Sequence, residues 1–69
     1  MHYIYQIRVM DTTGKSYLLA KTFNTQEDAK DYSFENINPG EFLTCDNGEV
    51  VAFGTNQIVS VTINRASVS

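Results

Sequence analysis

The strongest β-strand pattern in the chain is Tyr3-Ile4-Tyr5-Gln6-Ile7-Arg8-Val9. Successive side chains of a strand point to opposite faces, so Tyr3, Tyr5, Ile7 and Val9 share one face. Ile4, Gln6 and Arg8 share the other, and this alternation predicts a strand with one buried face. The turn-forming run Asp11-Thr12-Thr13-Gly14 follows. A second β-like run then extends from Ser16 to Phe23, so the first two strands are predicted to form a hairpin.

The sequence does not decide which face of the second run is buried. Residues 17–20, Tyr-Leu-Leu-Ala, are apolar on both sides of a strand. Lys21 interrupts the set that contains Leu19 and Phe23. A local bulge is one way in which both sets could be satisfied.

A short helix is predicted near residues 26–33. Thr25 provides a hydroxyl cap, and acidic residues follow in the first turn, where the helix dipole favours negative charge. Ala29 and Tyr32 share one helical face. Phe34 would fall on the acidic side if the helix continued, so the helix is predicted to end near Ser33.

The second half of the chain predicts three strands. Asn38-Pro39-Gly40 breaks the helix, and residues 41–45 restart an extended pattern. Asp46-Asn47-Gly48 predicts a tight hairpin in which Asn47 and Gly48 both adopt positive φ. The near-continuous apolar run Val50-Val51-Ala52-Phe53 is typical of a central strand covered on both faces.

The last strand is predicted from Ile58 to Ile63, because apolar and polar residues alternate there. The resulting order is ββαβββ. We therefore predict an α+β, mainly β domain at residues 1–64, with a C-terminal tail at 65–69. Its five strands are expected to form one curled antiparallel sheet or a small barrel.

Residues 41–63 resemble the closing half of a small SH3-like or Sm-like β-barrel. The segment from Val50 to Gly54, followed by Ile58 to Val61, is similar to the second signature of Sm proteins. In that family a basic residue precedes the glycine and lines an RNA-binding ring, whereas Phe53 stands there in this chain. The resemblance implies a curled antiparallel sheet and does not carry RNA binding over residue by residue.

Composition narrows the class of protein. The chain has 69 residues, 42% of them hydrophobic, which supports one small core that a second copy could reinforce. Cys45 is the single cysteine, so no internal disulfide forms and a cytoplasmic location is expected. No signal peptide or membrane span is predicted. The net charge of −3 disfavours nucleic acid and anionic membranes as partners.

No motif predicts catalysis, a cofactor or a metal. Cys45 could pair only with His2, the one histidine, which lies at the second position of the chain. The run Thr13-Gly14-Lys15-Ser16 is similar to the end of a phosphate-binding P-loop. The motif requires an earlier glycine at position 9, which is Val9 in this chain. Asp46, Asn47 and Glu49 are too few and too close for a calcium loop, and a hairpin turn is the better interpretation. The chain is therefore predicted not to be an enzyme.

Two groups of residues are candidates for partner binding. The first is the acidic set Glu27, Asp28, Asp31 and Glu35, which could dock onto a basic surface of another protein or serve only as a solvated helix face. The second is the aromatic set Tyr3, Tyr5, Tyr17 and Phe42, for which core packing is the competing interpretation.

The predicted function is a small non-enzymatic module that binds another protein. We expect a bacterial or phage accessory protein, an inhibitor or an adaptor, that could also form a homodimer through an exposed edge, strand one or strand five. The alternatives are binding of RNA or single-stranded DNA by an Sm-like barrel and a structural subunit of a larger assembly. Nucleic-acid binding would require Arg8, Lys15, Lys21 and Arg65 to gather on one face.

Overall fold

A computed structural model describes the backbone of residues 2–68 and the side chains of residues 3–67. The elements follow the predicted order ββαβββ. They are β1 (His2–Asp11), β2 (Ser16–Phe23), α1 (Gln26–Asn36), β3 (Phe42–Thr44), β4 (Val50–Ala52) and β5 (Ile58–Val68).

The five strands form two sheets. A three-stranded antiparallel sheet has the order β2-β1-β5, and β3 pairs with β4 in a separate two-stranded sheet. The prediction of one five-stranded curled sheet or small barrel is wrong, since the strands at residues 2–68 close no barrel. The reason is the path of β5, which returns along the whole of β1 instead of pairing with the three-residue β4.

The central strand of the larger sheet is β1. It pairs with β2 on one side and with β5 on the other, so the prediction of strand one as an edge is wrong and that of strand five is confirmed. The apolar run at residues 50–53 was expected to be central, yet β4 has only β3 beside it. Val50 is 55% exposed, whereas Phe53 beyond the strand is buried against Tyr17 with ring centroids 5.4 Å apart.

The core lies between the larger sheet, α1 and the inner face of the β3-β4 hairpin. Its buried hydrophobic residues are Ile7, Val9, Leu19, Ala29, Leu43, Cys45 and Phe53. Ile7 and Val9 are fully buried, as the alternation in β1 predicts. Ala29 is the buried residue of α1, and Tyr32 packs beside Phe23 with ring centroids 5.2 Å apart.

A bulge on β2 resolves the register that the sequence left open. Gln6 pairs with Thr22, but Arg8 pairs with Leu18, so β2 uses two more residues than β1 over this stretch. Leu19 lies in this stretch, where it is buried and bridges to Cys45, the residue after β3. The amide of Asp46 also donates to the Leu18 carbonyl at 2.9 Å, which joins the two sheets.

The helix is one turn longer than predicted. It continues to Asn36, where its last carbonyl groups have hydrogen-bond donors. Asn36 Nδ2 donates to the Tyr32 carbonyl at 3.1 Å, and the Ile37 amide donates to the Ser33 carbonyl at 3.1 Å. Thr25 Oγ1 accepts from the Asp28 amide at 3.1 Å, so the predicted cap is confirmed.

Strand β5 is also longer than predicted. The residues expected to form a tail from 65 onward pair with β1, where Arg65 lies opposite Tyr5 and Ser67 lies opposite Tyr3. These residues are mostly polar, but the strand continues through them because the backbone of β1 still pairs with theirs. Ser69 lies outside the described residues.

Both hairpins turn by the same hydrogen-bond pattern. The Gly48 amide donates to the Cys45 carbonyl at 3.0 Å, and the Cys45 amide donates to the Glu49 carbonyl at 2.7 Å. Gly48 has φ +89°, but Asn47 is not among the positive-φ residues, so the predicted two-residue primed turn is wrong. The loop is the longer type in which a single left-handed glycine follows an ordinary turn.

Replacing Gly48 with Ala should lower the free energy of unfolding by about 1 kcal/mol, because an L side chain resists φ +89°. An added Cβ meets no atom within 4 Å, so backbone strain alone is tested. Urea unfolding followed by circular dichroism measures the loss. Gly48→Asn is the control, since asparagine tolerates this conformation better. Equal losses in the two variants would contradict this account of the turn.

Candidate protein-interaction surface

Four carboxylates form one exposed face of α1. Glu27, Asp31 and Glu35 are spaced four residues apart, which aligns them in a row along the helix. Asp28 lies beside the row, so all four fall within an arc of about 100°. All four side chains are exposed, while Ala29 on the other side of α1 is buried. We call these four residues the acidic helix face.

Phe34 lies at the border of the acidic helix face. Its side chain is 74% exposed, and it follows Asp31 by three residues and Lys30 by four. The extra helical turn puts it there. The clash between an apolar residue and an acidic face favoured a shorter helix in the sequence, but the helix continues and the aromatic ring faces solvent. Sequence reasoning missed Phe34 as a candidate contact residue for this reason.

The charges of this face do not all stabilise the helix. Glu27 and Asp28 lie in the first turn, where the dipole favours them. Asp31 and Glu35 lie further along, and the last turn has no basic residue. Each like-charged pair four residues apart disfavours the helix by roughly 0.2–0.5 kcal/mol. Local helix stability therefore explains the first two acids and leaves Asp31 and Glu35 without such an explanation.

The aromatic set does not form one surface. Tyr5 and Tyr17 are half-buried and pack against the core. Tyr3 carries the Arg65 guanidinium over its ring at 4.3 Å. Phe42 is 74% exposed on the outer face of the β3-β4 hairpin, opposite Ala52.

The four basic residues divide between the two faces of the larger sheet. Arg8 lies on the outer face, the side of β1 opposite to Ile7 and Val9. Lys21 Nζ lies 5.6 Å from the ring centroids of both Phe23 and Tyr32, on the helix side. Arg65 is also on the inner side, and Lys15 lies over Tyr17 at the hairpin. These four side chains form no single basic face.

Cys45 lies at a polar groove of about 330 Å³ whose lining includes Arg8, Lys15, Asp46 and Glu49. Burial raises the pKa of the Cys45 thiol, and the charges of Glu49 and Asp46 raise it further. A raised pKa keeps the thiol protonated at neutral pH, whereas a nucleophile needs the thiolate. The His2 side chain, the other member of the pair considered from the sequence, lies outside the described side chains.

Asp11 carries the densest hydrogen-bond network. Its Oδ1 accepts from Thr13 Oγ1 at 2.6 Å, from the Thr13 amide at 2.9 Å and from the Lys15 amide at 3.1 Å. Tyr17 Oη donates to Oδ2 at 3.4 Å. These contacts hold the loop between β1 and β2 together, so residues 13–15 form a hairpin turn and Ser16 begins a strand.

Within the part of the chain that the structure describes, no cluster of three or more histidine, cysteine or acidic side chains could hold a metal ion. Over that same range, no helix has the length and apolar character needed to cross a membrane. Comparisons with protein-family models, curated proteins and solved structures find no match to this chain.

Replacing Asp11 with Asn should flatten the dependence of stability on pH in the acid range. The Thr13 hydroxyl is the largest of the contacts that hold the pKa of Asp11 below its ordinary value of 3.8. A lowered folded-state pKa stabilises the fold above pH 3.8, and that contribution is lost as the pH falls through the folded-state pKa. Denaturant unfolding near neutral pH and below pH 3.8 should show a smaller difference for the variant than for the native chain.

The matched control is Asp46→Asn in the turn between β3 and β4, which removes one carboxylate without touching the Asp11 contacts. Its pH dependence should stay closer to that of the native chain. An Asp11→Asn profile parallel to the native one would show that the network does not contribute.

Proposed function

We propose that this chain is a non-enzymatic module that binds another protein through the acidic helix face and Phe34. The observation that carries the proposal is the exposure of Phe34, 74%, next to the carboxylates of that face. Burying a phenylalanine side chain contributes about 1.5–3 kcal/mol, so a partner that covers this ring would gain a substantial part of its affinity there.

The geometry fits the usual anatomy of a protein interface. Binding energy concentrates in a few well-packed residues, aromatic ones among them, and a polar rim excludes water around them. Phe34 would be the anchor, and Asp31 and Glu35 would belong to the rim. The partner is expected to present an apolar pocket bordered by lysine or arginine side chains.

The charge of the surface suggests how the module would find its partner. Carboxylates in a row attract a basic surface at a distance and raise the association rate at low salt. The effect weakens as ionic strength rises, because the screening length falls to about 8 Å at physiological salt. An inhibitor or adaptor that covers a basic surface of its target would work in this way. No observation among the described residues favours nucleic acid as the partner.

Capture of tagged protein from a lysate of its own organism, with matched variants, tests the proposal. Phe34→Ser should reduce the amount of retained partner about tenfold or more, as loss of an anchor residue does. Phe42→Ser is the control, because Phe42 is equally exposed, 74%, and belongs to β3, outside the acidic helix face. This control should retain the partner at the native level.

The charges are tested by the triple variant Glu27→Gln, Asp31→Asn, Glu35→Gln. It should bind more weakly than the native chain at low salt, and the difference should narrow as salt is added. Circular dichroism verifies that α1 is kept in each variant. Retention of the same protein at native levels by both Phe34→Ser and the triple variant would overturn the proposal, as would failure of the native chain to retain any protein.

A further inference from the structure

We infer that two copies of this chain pair antiparallel along β5, which joins their three-stranded sheets into one sheet of six strands. This edge is separate from the acidic helix face, and a second copy of the chain occupies it.

One edge of the larger sheet is open along its whole length. β5 has β1 on one side, and no other strand between residues 2 and 68 pairs with its second side. Alternate residues of β5 therefore direct their amide and carbonyl groups away from β1. The opposite edge differs, because Leu18 accepts from the Asp46 amide and Leu19 bridges to Cys45.

Features that keep an edge strand from pairing with another chain include short length, proline, inward-pointing charges and bulges. β5 is 11 residues long and contains no proline. Its one charged residue is Arg65, which lies over the Tyr3 ring on the inner face. Its one irregularity lies at the start, where Asp11 pairs with Ile58 and the register shifts. Val59 and Val61 are 61% and 41% exposed there.

The strand complements its own sequence when it pairs about its midpoint. Ile63 is the middle residue of Ile58–Val68, so full overlap puts Ile63 opposite its own copy. Val61 then lies opposite Arg65 of the second copy, and Thr62 lies opposite Asn64. No two like charges meet in this register, and the central pair is aliphatic.

The edge runs almost the length of the molecule. Eleven residues at about 3.4 Å each extend about 37 Å, close to the longest dimension of the molecule, 38 Å.

The symmetry keeps the two surfaces independent. Antiparallel pairing of identical strands puts the two-fold axis perpendicular to the sheet. Both copies of α1 then lie on the same face of the joined sheet. The edge pairs by backbone hydrogen bonds and uses neither Phe34 nor the acidic helix face, so either proposal can fail without the other.

Two substitutions at one position test the pairing and its register. Val61→Lys should put an ammonium group opposite Arg65 of the second copy, and Val61→Glu should put a carboxylate there. Each contact occurs twice in a symmetric dimer, so the dissociation constant of the Lys variant should exceed that of the Glu variant about tenfold. Sedimentation equilibrium over a concentration series measures both, with the native chain beside them.

Val50→Lys is the control, because Val50 is a similarly exposed valine on β4, the edge of the other sheet. It should dimerise as the native chain does. A monomeric native chain at every concentration overturns the inference, as does a dimer that the Lys and Glu variants form equally well. A dimer lost only in Val50→Lys would move the contact to the second sheet and overturn it too.

Hydrogen exchange on the native chain tests the edge without substitution. Amides of β5 that point away from β1 should exchange slowly in concentrated solution and faster on dilution. Amides of β5 that point toward β1 should stay protected at both concentrations. Protection of the outward amides that does not depend on concentration would contradict pairing with a second copy.

Discussion

The rest of this structure depends on the backbone pairing of β1, which among the strands at residues 2–68 is the one with a paired strand on each side. β5 follows it from His2 to Asp11, and β2 accompanies it with one interruption. Ile7 and Val9 are both fully buried on its inner face, where they belong to the core that also contains Ala29 of α1. β2 departs from the register of β1 at its bulge, and Leu19 within that stretch bridges to Cys45 beside the second sheet.

Local features could be predicted from the sequence, and long-range pairing could not. The Thr25 cap, the glycines of both hairpins and the burial of Ile7 and Val9 each depend on a few neighbouring residues. The choice between β1 and β4 as the partner of β5 depends on residues more than 45 positions apart in the chain, for which alternation supplies no signal. The apolar run at 50–53 was wrongly predicted to be a central strand. Its most buried residue, Phe53, packs against Tyr17 from beyond the end of β4, a contact that the local pattern does not show.

The candidate surface could also be predicted only in part from the sequence. The sequence grouped Glu27, Asp31 and Glu35 in one acidic set, and Glu35 joins the other two on the helix because α1 continues past Ser33 to Asn36. Phe34 was missed because amphipathic patterning counts an apolar residue on a polar face as a reason to end the helix. Side-chain contacts to the last carbonyls, from Asn36 to Tyr32 and from Asn38 to Glu35, outweigh that conflict and carry the helix past it. An apolar residue that breaks a polar pattern is therefore a contact candidate as well as a boundary signal.

The two surfaces differ in what they can recognise. An open strand edge binds through backbone groups that every residue except proline carries in full, so length and register set its preference. The acidic helix face would bind through side-chain charge and one aromatic ring, which distinguish one partner from another. A small core gains from an added strand at the sheet edge, since extra pairing supplements a stability of about 3–5 kcal/mol. Self-association would then support the fold, and the helix would remain free to select the partner.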